Sequence, residues 1–101
     1  MVNRLGIRLA WQIKYTLSAL RQLQKLDQSI AGQIVAYLDQ RVVRLEDPRT
    51  LGKKLSGPKL GLYWRYRIGD MRVICDVKDA QLIVLVLEIG ARAEHKEIDR
   101  K

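Results

Sequence analysis

The sequence predicts an α+β fold: an N-terminal strand, a two-helix hairpin, then a three-stranded antiparallel meander. The helices are expected to pack on one face of a small twisted sheet. Three observations carry this expectation. Apolar and polar residues alternate over residues 9–15, leucines and isoleucines recur at helical spacing over residues 17–45, and the period returns to two after Pro48.

In the first strand Trp11, Ile13 and Tyr15 fall on one side. Thr16 or Ser18 can cap the helix that follows, in which Leu17, Leu20, Leu23 and Leu26 recur every three residues. Asp27 is the expected N-cap of a second helix reaching about Leu45. Ile30, Ile34, Tyr37, Leu38, Val42 and Leu45 make its apolar stripe, with Gln28, Gln33, Asp39, Gln40 and Arg44 largely elsewhere. Pro48 disfavours helix at Asp47 and ends it.

Beyond Pro48, Leu62, Trp64, Tyr66 and Ile68 share one face of a strand, and Tyr63, Arg65 and Arg67 share the other. Gly69 and Asp70 supply a turn. Met71, Val73, Cys75 and Val77 then alternate with Arg72, Ile74 and Asp76. A second turn at Lys78, Asp79 and Ala80 leads to an almost wholly apolar run over residues 82–87, as expected of a strand covered on both faces.

The 101 residues fit one domain over 1–101, with 1–8 as an N-terminal extension and 92–101 as a charged tail. With 48% hydrophobic residues the chain can build a core, and two prolines and seven glycines argue against disorder. No apolar run reaches membrane-spanning length and the N-terminus lacks a signal-type apolar region, so a cytoplasmic location is expected. Cys75 and His95 are the sole cysteine and histidine, which excludes an internal disulfide and a cysteine metal cluster. Cys75 reads as a buried apolar thiol.

A net charge of +8 favours a polyanionic partner, nucleic acid first. The charge concentrates in KKLSGPKLGLYWRYRIGDMR, residues 53–72, where Lys53, Lys54, Lys59, Arg65, Arg67 and Arg72 meet one acid, Asp70. Guanidinium groups match phosphate geometry with paired donors. Arg65, Arg67 and Arg72 lie across a tight hairpin, so their heads can converge and stabilise charge developing on a phosphate. The alternative is a solvated basic face that pairs with an acidic protein. Tyr63 shares the arginine face and suits base stacking or a phosphate hydrogen bond. Trp64 and Tyr66 read as core, and Asp76 and Glu88 as salt-bridge partners for arginines. Arginine is a poor proton acceptor, so a general base would be Lys53, Lys54 or Lys59, with Lys54 preferred, or His95 close after Arg92.

These segments resemble the RelE/ParE superfamily of toxins from type II toxin–antitoxin modules, and the RelE branch in particular. The resemblance rests on the Lys54-Leu55…Gly57 step, the Tyr66-Arg67…Gly69-Asp70…Arg72-Val73 hairpin, and Gly90…Arg92 after the last strand. It covers roughly residues 11–99. It implies a ribosome-dependent mRNA endonuclease that cuts in the A site by 2′-hydroxyl attack, with no metal or other cofactor. It also implies partners: the ribosome and its mRNA, and a RelB-like antitoxin that neutralises the toxin in a hetero-oligomer and reaches operator DNA. Position by position, the family's hairpin arginine matches Arg72, the arginine after the last strand Arg92, and a basic strand residue Arg65. A second family lysine falls on Tyr63, and the family's near-terminal stacking tyrosine falls on Ile98 or Asp99. Those departures suit two rivals: a ParE-like inhibitor of DNA gyrase without nuclease activity, and a degenerate module that only binds its antitoxin.

Overall fold

In a computed structural model of the chain, residues 11–56 and 62–91 are described. Five strands form one sheet in the order β1-β5-β4-β3-β2. They are β1 Gln12–Tyr15, β2 Lys53–Lys54, β3 Tyr63–Ile68, β4 Met71–Lys78 and β5 Ile83–Ala91, with helices α1 Leu17–Gln24 and α2 Gln28–Tyr37 between β1 and β2. β1 runs parallel to β5 and every other pairing is antiparallel. The expected meander is therefore present as β3-β4-β5. Residues 9 and 10 of the expected first strand lie outside the described residues.

The helices and the sheet bury one apolar cluster. Ala19, Ile34, Leu38 and Val42 from the helical side meet Tyr66, Val73, Cys75, Val84 and Val86 from the strands, all of them fully shielded. A run of such side chains is what holds a domain of this size together. Burial pushes the Cys75 thiol and the Tyr66 hydroxyl well above their ordinary pKa, so both stay neutral. Tyr66 also spends its hydroxyl, which donates to the Pro48 carbonyl at 2.8 Å.

Thr16, not Ser18, caps α1: its Oγ1 accepts from the Ala19 amide at 3.1 Å and donates to the Leu87 carbonyl at 3.2 Å. The second bond explains the choice. Cys75 pairs with Val86 and Ile74 with Glu88, so Leu87 is an extra residue in β5, a bulge. Thr16 ties down that irregularity, since its amide also donates to the Val86 carbonyl at 3.0 Å. Gln22 completes the repair by accepting from the Ile89 amide at 2.6 Å.

Four sequence expectations need correction. The second helix is α-helical only to Tyr37; a π-turn, Leu38–Val42, follows, in which the Val43 amide reaches the Leu38 carbonyl at 3.1 Å. Leu38 and Val42 remain fully buried, so the apolar spacing is met by a wider turn rather than by further α-helix. Pro48 does more than stop a helix: it opens a 3₁₀ turn, Pro48–Leu51, with Asp47 accepting from the Arg49 amide. That turn delivers β2, a strand too short to show a period. Leu62 lies before β3 and is 73% exposed, not part of the buried face. Finally, the last strand extends to Ala91, and Leu82 is the left-handed residue (φ 53°) that ends the turn before it.

Candidate nucleic-acid interface

The β3–β4 hairpin sets the site. Its loop is two residues, with Gly69 at φ +58° in the first position. Only that position has positive φ, the pattern of a type II′ turn, whose twist suits a hairpin and which selects glycine there. The tight loop fixes the register: Arg67 faces Arg72, Arg65 faces Ile74, and Tyr63 faces Asp76. Alternation places Tyr63, Arg65, Arg67 and Arg72 on the sheet face away from the helices. On the outer side Lys53 of β2 is opposite Arg65. On the inner side Glu88 and Gly90 of β5 are opposite Ile74 and Arg72.

Exposure differs sharply along this row. Lys53 and Arg67 are exposed, Arg65 and Tyr63 half-buried, and Arg72 only 6% exposed. The alternative reading, a solvated basic face, does not hold for Arg72. It sits on β4, the middle strand, whose residues are shielded on both faces from Met71 to Cys75. A guanidinium held there has little rotamer freedom. A shallow depression of about 260 Å³ opens beside it, lined by Leu51, Lys53, Arg65 and Arg67.

The structure separates two neighbours, Lys53 and Lys54, that the sequence offered as candidate general bases. Lys53 lies opposite Arg65, but Lys54 lies opposite Trp64. Pleating therefore turns Lys54, the preferred general base, to the other side of the sheet from the arginines. Lys59, Arg92 and His95 lie outside the described residues. Ala91, the last residue of β5, pairs with Met71 at the hairpin end, next to Gly90 opposite Arg72. Trp64 and Tyr66 are on the helix side, as expected. Asp76 pairs with Lys78 at 3.1 Å rather than with an arginine of the site. Among the described residues, no three histidine, cysteine or acidic side chains converge to hold a metal ion.

Sequence reasoning missed Arg49 and Leu51, reading their segment only as a helix stop. Arg49 donates to Asp47 at 3.2 Å, to both carboxylate oxygens of Asp79 and to the Val77 carbonyl, and its guanidinium lies 6.0 Å from the Trp64 ring centre. The hydrogen bond from Arg49 holds the Asp79 carboxyl below its ordinary pKa, and that bond in turn raises Arg49. The partners are thirty residues apart in sequence, and no local pattern marks them.

Comparison with known proteins fits this geometry. Residues 13–95 match the family described as the ParE toxin of the type II toxin–antitoxin system parDE. An Escherichia coli protein described as a RelE-like toxin is 32% identical over 82 residues, covering 81% of this chain and 83% of its own. Among solved structures, the toxin–antitoxin complex RelBE2 of Mycobacterium tuberculosis superposes with a TM-score of 0.73 at 25% identity, covering 84% of this chain and 94% of that one. A free arginine-to-alanine double variant of E. coli RelE gives 0.69 at 25% identity, covering 89% and 90%. The chain belongs to the ParE toxin family within the RelE/ParE superfamily, and is the toxin of a type II toxin–antitoxin module.

Proposed function

We propose that the toxin is a ribosome-dependent mRNA endonuclease that uses the cationic sheet face. The observation that carries this reading is the cross-strand row itself: Lys53, Arg65, Arg67 and Arg72 share one face, with Tyr63 beside them. Such a face suits an RNA backbone, and its guanidiniums suit a phosphate that gains charge as it reacts. In the reaction the ribose 2′-oxygen bonds to the adjacent phosphorus and the bond to the 5′-oxygen breaks. A proton leaves the 2′-hydroxyl and another reaches the departing 5′-oxygen, giving a cyclic phosphate and a 5′-hydroxyl end. Arg72, aided by Arg65, holds the phosphate, and Arg92 stabilises the transition state or protonates the leaving oxygen. Because Lys54 turns away from the row, His95, three residues after Arg92, is the better proton carrier. The antitoxin partner is a RelB-like protein, the kind present in the complexes of the structural neighbours.

The test is translation in vitro with purified toxin, with mRNA ends mapped by primer extension beside an Arg72→Ala, Arg92→Ala variant. Discrete cuts inside translated codons, absent without ribosomes and lost in the variant, are the expected result. Intact mRNA with continued translation would refute it. A second reading, inhibition of DNA gyrase, is favoured by the family that residues 13–95 match and by Tyr63 in place of a lysine. It predicts gyrase-dependent DNA breaks and no mRNA cuts.

A further inference from the structure

The depression beside the hairpin arginines is built from a rigid segment. Arg49 fastens the 3₁₀ turn to Asp79 and the Val77 carbonyl, and Tyr66 fastens it again through Pro48. Gly52 then lies flat on the Tyr66 ring: a Cβ there would come 3.1 Å from the ring Cε1. Lys53 is thereby set opposite Arg65, while Arg67 is set opposite Arg72. Like charges directly across a strand pair destabilise a sheet, and this face has two such pairs in adjacent rows. An anion between Lys53 and Arg67 would lessen that repulsion. Among the described residues neither Lys53 nor Arg67 has an ion-pair partner, whereas Arg49 holds two carboxylates.

We infer that this groove is a second phosphate subsite, in which Lys53 and Arg67 grip a backbone phosphate of single-stranded RNA beside the phosphate held by Arg72. The inference rests on the RNA reading above and adds a contact outside the reacting centre. Leu51 on the groove wall gives an apolar surface for a ribose, and Tyr63 on the same face gives an aromatic one for a base. An acidic peptide would meet the same cations, but it makes no use of the aromatic side chain or of continuity with Arg72.

The experiment is fluorescence anisotropy of the full chain with a labelled 2′-O-methyl oligouridylate, which binds but cannot be cleaved, over a range of salt. Each phosphate lost lowers the slope of log affinity against log salt by about 0.7 on single strands, so Lys53→Ala, Arg67→Ala, which empties one subsite, should lower it by about that amount. A Lys25→Ala, Arg44→Ala variant removes two exposed cations from the helical side and should keep the original slope. Lys53→Gln, Arg67→Gln repeats the measurement with longer side chains, and thermal melting verifies that each variant is folded. An unchanged slope, or an equal fall in the Lys25, Arg44 variant, would overturn the subsite. So would weakened binding of polyglutamate with RNA binding intact, which would make the groove a protein contact. A toxin that shows the predicted slopes yet leaves translated mRNA whole would refute the nuclease reading and leave the subsite standing.

Discussion

On the helix side of the sheet, Tyr66, Val73, Val84 and Val86 are fully buried, and Arg49 is bound to two carboxylates and a carbonyl. On the other side Lys53, Arg65, Arg67 and Arg72 are lined up against one another. Both faces come from the same strands, alternate residue by alternate residue. The difference separates two tasks: one face is buried and holds the fold, and the other gathers cations, of which Lys53 and Arg67 have no ion-pair partner among the described residues. Variants on the first should therefore cost stability, and variants on the second should cost function.

The largest expected contrast is between Leu38→Ala and Arg67→Ala. Leu38 is fully buried, so its truncation should cost about 2–5 kcal/mol in chemical denaturation. Arg67 is exposed and faces another arginine, so its removal should leave stability within about 0.5 kcal/mol, or raise it slightly. Equal losses would break the division between faces.

Thr16→Ala should come next. It removes the α1 cap and the tie to the β5 bulge, for a loss of about 0.5–2 kcal/mol. A loss below this range would mean that the bulge does not depend on the cap.

Alkaline pH probes the buried side. Tyr15 is pushed up to about 12, mainly by burial, with Asp39 and Cys75 adding to the shift. Cys75 and Tyr66 are raised by burial as well. A raised folded-state pKa gives stability that is complete below the unfolded value and is lost as pH rises toward the folded one. Melting temperature should accordingly fall from about pH 9 upward, where an unfolded thiol begins to ionise, and more steeply above about pH 10. In Cys75→Val the fall should begin later. A flat profile from pH 8 to 11 would contradict the burial of these groups.

The smallest effect concerns Asp79. Its carboxyl is lowered by Arg49, so its contribution is present above the ordinary carboxylate pKa and is lost as pH falls through the folded-state value. The group is exposed, and Asp79→Asn should change the melting temperature only slightly, and less at high salt.

Period alone made most of the sheet legible. Trp64, Tyr66 and Ile68 against Tyr63, Arg65 and Arg67 sorted the two faces before any coordinates, and the glycine turn placed Arg72 beside them. Where elements are short or tied at long range, period says nothing. Two residues of β2 carry no alternation, so Lys54 was chosen over Lys53 with no means of knowing which turned toward Arg65. The Arg49–Asp79 tie spans thirty residues and left no local trace. Neither alternation nor composition marked the burial of Arg72 on β4.

The most direct test of this division is a paired measurement on one variant, Arg65→Ala, Arg67→Ala. Its unfolding free energy and its rate of mRNA cleavage in a translating extract would be determined on the same preparation. The account predicts stability within about 1 kcal/mol of the parent chain and cleavage abolished. Cleavage at the parent rate with this face stripped of both arginines would contradict it.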